Sequence, residues 1–160
     1  MAADSSELPR IKQAKLKIAS YCAYQERCHS EVTEKLYSYD LHREEVEEII
    51  AWLITENFLN EERFAIAFAG GKFRLKKWGR LKIKQALEQK KVSQYSINKS
   101  LKEIQQEDYL QTIEGHILSL KDKKQAPNVF VLRDRISRAI IAKGFEPELV
   151  WQQLRTIIPE

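Results

Sequence analysis

The sequence predicts an all-α protein: three tandem three-helix repeats forming an elongated, curved body. Three observations lead there. First, the 160 residues are 43% hydrophobic and 31% charged, with only five glycines and four prolines, a balance that suits a folded, helix-rich chain. Second, no run of alternating β-branched residues is bounded by turn dipeptides, and neither Asn-Gly nor Asp-Gly occurs. Third, the chain repeats itself. Residues 32–53, 83–104 and 136–157 align without a gap, at offsets of 51 (Val32 to Ile83) and 53 (Ile83 to Ile136).

Each segment carries the same apolar pattern. Its first pair is Val32 and Leu36, then Ile83 and Leu87, then Ile136 and Ile140. A lone apolar residue follows: Leu41, Val92, Phe145. The next set is Val46, Ile50 and Leu53, then Ile97, Leu101 and Ile104, then Val150, Leu154 and Ile157. Steps of three and four put side chains on one face of a helix, so each segment reads as helix, tight turn, helix, with the lone residue plugging the junction. The residue before the plug should close the first helix in a left-handed conformation. Gly144 suits that role and Asp40 tolerates it, whereas at Lys91 it costs about 1 kcal/mol or more, so a different turn is expected there.

The remaining elements follow in order. Residues 1–9 read as a flexible N-terminus, polar and acid-bearing, unlike a secretory leader; no apolar run is long enough to span a membrane. Unit 10–58 opens on a helix marked by Ile11, Ala14, Ile18 and Tyr21. Cys22 and Cys28 extend that stretch and, on one helix, would point well apart, as free thiols of a reducing, cytoplasmic compartment do. His42 is a poor cap for the helix it precedes. Unit 59–106 opens with Phe64, Ala67 and Phe68 after the cap-like Asn60 and acidic Glu61 and Glu62, and its last helix is capped by Ser93. Unit 107–160 opens with Leu110, Ile113 and Ile117 after Asp108. The polar stretch 121–128, with Pro127, is its loop, and Pro147 sits in the first turn of its last helix.

Charge is segregated along this frame. Residues 30–62, which make the first unit acidic, hold Glu31, Glu34, Asp40, Glu44, Glu45, Glu47, Glu48, Glu56, Glu61 and Glu62 against Lys35 and Arg43. The second is basic: within residues 72–91, Lys72, Arg74, Lys76, Lys77, Arg80, Lys82, Lys84, Lys90 and Lys91 stand against Glu88 alone. A charge run is usually a solvated face, but this one-sided excess repels itself and calls for compensation by an anionic partner. The overall charge of +4 points the same way. Phe73 and Trp78 lie inside the run; core positions at a unit junction explain them better than base stacking.

Catalytic constellations are absent from the sequence. His29, His42 and His116 lack metal spacing, and Cys22, Cys28 and His29 do not make a tetrahedral set. Gly70-Gly71-Lys72 lacks the first glycine and the hydroxyl of a phosphate loop. The chain therefore reads as a non-enzymatic binding protein without metal or cofactor.

The stretch Phe58-Leu59-Asn60-Glu61-Glu62-Arg63-Phe64, with Ala67-Phe68, the basic residues 72–77, Trp78-Gly79, Lys82-Ile83, Gln85-Ala86-Leu87 and Lys90-Lys91-Val92-Ser93, resembles the RecX family of regulators of the bacterial recombinase RecA. Flanking matches are Ala23-Tyr24, Arg27, Ser30, Glu34-Lys35-Leu36 and Lys143-Gly144-Phe145, so the likeness runs from Ile11 to Leu154. Departures are Arg80 where proline is usual, which implies a looser start to that helix, Lys91 and Asn57 at glycine positions, and Ala86 at a glutamate. The resemblance implies three tandem three-helix repeats. It also implies binding in the groove of the RecA filament on single-stranded DNA, inhibiting ATPase, strand exchange and coprotease functions in recombination, DNA repair and the SOS response; a monomer is expected. Duplex DNA is a further candidate partner. The contact surface carried over is Lys72, Arg74, Lys76, Lys77, Arg80, Lys82, Lys84, Lys90 and Lys91; Phe64 is expected in the core and Arg63 in an ion pair with Glu62 or Glu56. The rival reading is a generic nucleic-acid-binding helical module that acts without RecA.

Overall fold

The computed structural model describes residues 7–160, which form nine α-helices and no strand. They are α1 (Pro9–Tyr24), α2 (His29–Tyr37), α3 (Arg43–Thr55), α4 (Glu61–Lys76), α5 (Arg80–Gln89), α6 (Gln94–Lys102), α7 (Gln106–Lys123), α8 (Val129–Ile141) and α9 (Pro147–Ile157). Helices pack within trios, α1 to α3, α4 to α6 and α7 to α9, and only slightly between them. The fold is thus the expected series of three-helix repeats. Of the expected flexible N-terminus, residues 1–6 lie outside the described residues; Leu8 precedes α1 and Pro9 fills its first turn, where a missing N–H costs nothing.

The repeat is visible at single-residue resolution in the turns. Asp40, Lys91 and Gly144 all have positive φ, at 57°, 63° and 97°. Each donates its N–H three residues back, to Tyr37, Glu88 and Ile141, positions related by the same offsets of 51 and 53. The expectation that the Lys91 turn would differ is therefore overturned. Its neighbour Val92 is buried as Leu41 and Phe145 are, and burying that plug outweighs roughly 1 kcal/mol of left-handed strain. His42 does not need to cap α3 itself, because its own N–H donates to the Glu45 carboxylate at 2.9 Å. That bond, with Arg10 beside it, holds the Glu45 carboxyl below its usual range.

Packing corrects several sequence assignments. Ala67 is exposed, and α4 buries Phe64, Ala65, Ala69 and Phe73 instead. In α7 Tyr109, not Leu110, is the fully buried residue of the first turn. The helix continues to Lys123, so the loop begins only at Lys124. The two cysteines do not share a helix: α1 ends at Tyr24, Cys22 is buried in it, and Cys28 is the residue before α2. Both are free thiols, and burial pushes each above its ordinary pKa.

Two separate cores result. Ile18, Val32, Leu36, Val46, Ile49 and Leu53 belong to a cluster confined to the first trio and its flanks. A second cluster joins the other two trios continuously, from Phe64 and Ile83 through Tyr109 to Phe145 and Leu154, and takes in Cys28. The first trio is thus an apolar unit of its own, held to the second mainly by polar contacts. Leu53→Ala, which removes a fully buried side chain, should cost about 2–5 kcal/mol. Amide exchange should accelerate in residues 7–59 and little in residues 61–158. Uniform acceleration across the chain would contradict two cores.

Candidate functional site

The basic run occupies the C-terminal half of α4, the turn after it, α5, and the turn that follows α5. Helix α4 starts where the Asn60 side chain accepts from the Arg63 N–H at 2.9 Å. It ends at Lys77, in the left-handed conformation with φ 57°. Lys76 and Arg74 lie in its last turn, where cations oppose the negative end of the helix dipole. Helix α5 then starts at Arg80 without a side-chain cap of its own.

Its cap comes from the third trio. The Gly79 N–H donates to the Lys143 carbonyl at 2.9 Å, the Arg80 N–H to the Tyr109 hydroxyl at 3.0 Å, and the Leu81 N–H to the Gly144 carbonyl at 2.9 Å. Three orphan donors of a helix start are thereby satisfied. Two glycines allow the approach: a Cβ on Gly79 would lie 2.3 Å from the Gly144 carbonyl, and one on Gly144 would lie 2.3 Å from the Lys82 Cβ. Arg80 therefore does not loosen the start of α5, as its replacement of proline suggested. Its guanidinium stacks 3.8 Å from the Tyr109 ring centre, pairs with Glu146 at 2.9 Å and donates to Gln106 at 2.7 Å. The Tyr109 hydroxyl in turn donates to Glu146. Burial, reinforced by that bond, pushes the Tyr109 phenol well above its usual range.

The joint between the first and second trios is the looser counterpart. The Ser30 hydroxyl donates to the Lys90 carbonyl at 2.8 Å, and Lys90 Nζ pairs with Glu31 at 3.0 Å. Arg63 pairs with Glu26 at 2.5 Å and donates to the Asn57 carbonyl at 3.0 Å. Arg63 is thus structural, as expected, but its partner belongs to the preceding trio and is neither Glu62 nor Glu56. Phe64 is in the core. It is the fourth residue of α4, as Tyr109 is of α7, and without a hydroxyl it cannot supply the bond that Tyr109 gives the second joint.

The nine basic residues therefore divide. Arg80 and Lys90 are engaged at the two joints. Lys72 and Lys82 lie over the Trp78 ring, at 4.9 and 4.5 Å from its centre, and Lys72 and Lys90 approach the Phe68 ring at 5.5 and 5.7 Å. Each such contact contributes about 0.5–1 kcal/mol at a half-exposed site and keeps the ammonium near the surface. Arg74, Lys76, Lys77, Lys84 and Lys91 enter no ion pair among the described residues; Lys84 is half-buried and the other four are exposed. Phe73 is buried and packs on Tyr109, whereas Trp78 is half-buried among lysines. The Phe68 and Trp78 ribbon was not legible in the sequence beyond the presence of aromatics in a basic run, because it depends on the fold of α4 back onto α5.

Among the described residues no group of His, Cys, Asp and Glu is arranged to hold a metal, and no helix is long and apolar enough to cross a membrane. What the fold and the site define is a helical-repeat protein that presents a face of cations without ion-pair partners among the described residues. The family model for the RecX second three-helix domain matches residues 60–101, which are α4 to α6 with the Asn60 cap. Regulatory protein RecX of Streptococcus uberis is 30% identical over 132 residues, 81% of this chain and 50% of that protein. Regulatory protein RecX of Bacillus cytotoxicus is 24% identical over 140 residues, 88% of this chain and 52% of that protein. The crystal structure of RecX from Lactobacillus salivarius shares the fold with a TM-score of 0.85 at 20% identity, over 93% of this chain and 96% of that one. A crystal structure of regulatory protein RecX does so with 0.81 at 19% identity, over 97% and 81%. The chain belongs to the RecX family, and it spans about half the length of the curated relatives it matches.

Proposed function

We propose that this chain is a non-enzymatic regulator that binds the RecA filament on single-stranded DNA and inhibits its ATPase, strand exchange and coprotease activities. Recombination, DNA repair and the SOS response would be modulated in this way, in the cytoplasm, by a monomer. The family supports a regulatory role. The observation that carries the contact surface is the set of cations on α4, α5 and the turns after them that enter no ion pair among the described residues, Arg74, Lys76, Lys77, Lys84 and Lys91, beside the lysine-covered rings of Phe68 and Trp78. Such a face attracts DNA phosphates or acidic loops of RecA. Arg80 and Lys90 support the face indirectly, by fixing its two ends. Units 10–58, 59–106 and 107–160 would act together, the serial repeats offering an extended surface to an extended filament.

The test is the ATPase of preformed filaments of RecA from the same source on single-stranded DNA. Substoichiometric amounts of this protein should suppress it. An unchanged rate at equimolar protein would reject the regulator reading and leave the generic nucleic-acid-binding module, which predicts binding to naked single strands with a salt slope of about −0.7 per neutralised phosphate.

A further inference from the structure

The end of α4 carries more than charge. Leu75 is 82% exposed and Leu81, at the start of α5, is 49% exposed. They flank the Lys77 turn, among Arg74, Lys76 and Lys77. A cavity shares Arg74 and Lys77 with this turn; it opens between α4 and α7 and is lined also by Phe73, Asp108, Thr112 and His116. Gly115 adds open space, since nothing lies within 4 Å of where its Cβ would be. His116 approaches the Lys77 carbonyl at 3.3 Å, and burial first, with Lys143 and Lys77 nearby, pushes its pKa down. Arg74 and Lys77 bring positive charge to the cavity, and Asp108 brings one carboxylate.

Phosphates would satisfy those cations but offer nothing to two leucines. The charged sugar-phosphate backbone offers less aliphatic surface with which to exclude water from them than a leucine-bearing protein segment does. The geometry points to a docking site for an acidic protein segment that carries leucine-like side chains. Its carboxylates meet Arg74, Lys76 and Lys77, and its apolar side chains cover Leu75 and Leu81. This inference rests on the reading that the α4–α5 face is the contact surface, and it assigns this corner of it to a protein partner.

The test uses the full chain and two labelled probe peptides of equal negative charge, one with leucines between glutamates and one with serines in their place, together with an oligo-dT strand. Fluorescence anisotropy should show the leucine peptide binding about tenfold tighter than the serine peptide. Leu75→Ser with Leu81→Ser should abolish that tenfold while leaving the serine peptide and the oligonucleotide unchanged. Arg74→Gln with Lys77→Gln should weaken both peptides. Equal binding of the two peptides, or a leucine variant that binds the leucine peptide as well as the parent, overturns the proposal. So does a parallel loss of oligonucleotide binding, which would give the corner to nucleic acid, or self-association abolished by the leucine variant, which would give it to a second copy. The filament ATPase is read separately, so inhibition by the leucine variant alongside an abolished peptide preference, or the reverse, tells the two readings apart.

Discussion

Gly144→Ala is expected to lower the thermal midpoint by roughly 5–15 °C. The new Cβ would lie 2.3 Å from the Lys82 Cβ and 2.6 Å from its backbone nitrogen, so backbone has to move. The residue also sits at φ 97°, where an L side chain is strained. Left-handed strain and overpacking together come to about 2–4 kcal/mol. The displaced segment carries the Lys143 and Gly144 carbonyls that cap α5, so the damage reaches the helix bearing the basic face. Lys91→Gly is the internal control. The same turn, at φ 63°, is there relieved of strain, and the midpoint should hold or rise. Circular dichroism melts decide. An unchanged midpoint for Gly144→Ala would mean that the second and third trios are not packed this closely.

Exchange of Lys76, Lys77, Lys84 and Lys91 for glutamate is expected to weaken binding to the RecA filament by roughly 100-fold, four interactions at about 0.7 kcal/mol each. The far-ultraviolet spectrum should stay the same, because none of the four enters an ion pair or a ring contact among the described residues. Salt dependence should become shallower by about 0.7 for each DNA phosphate that the variant no longer neutralises. Arg80→Glu should behave in the opposite way. It sets a carboxylate against Glu146 and removes the stack on Tyr109, so the fold weakens first. Full affinity in the fourfold variant would remove the role given to this face.

These two predictions show where reading the chain alone succeeds and where it stops. Val32, Ile83 and Ile136 are fully buried, and Asp40 and Gly144 turn left-handed, because helical periodicity and offsets of 51 and 53 are local facts of order along the chain; Lys91, where a different turn was expected, is held left-handed by the burial of Val92. The caps Asn60 and Ser93 were legible for the same reason, their side chains reaching only to Arg63 and Ser96. Composition likewise separated an acidic first unit from a basic second one. The division of labour among the nine cations was not legible. Arg80 meets Glu146 and Lys90 meets Glu31, partners 66 and 59 residues away. No periodicity within one helix announces them.

By itself, then, the sequence determined the all-helical repeat, the turn positions and the basic segment, since each depends on interactions within a few residues. Only the tertiary structure decided that the first trio keeps its own core while the other two share one. It alone showed that α5 is capped by the third trio, and that Leu75 and Leu81 stand exposed among lysines. The physical reason is that capping donors, ion-pair partners and solvent exposure are set by which surfaces the trios bring together, and that packing joins residues far apart in the chain.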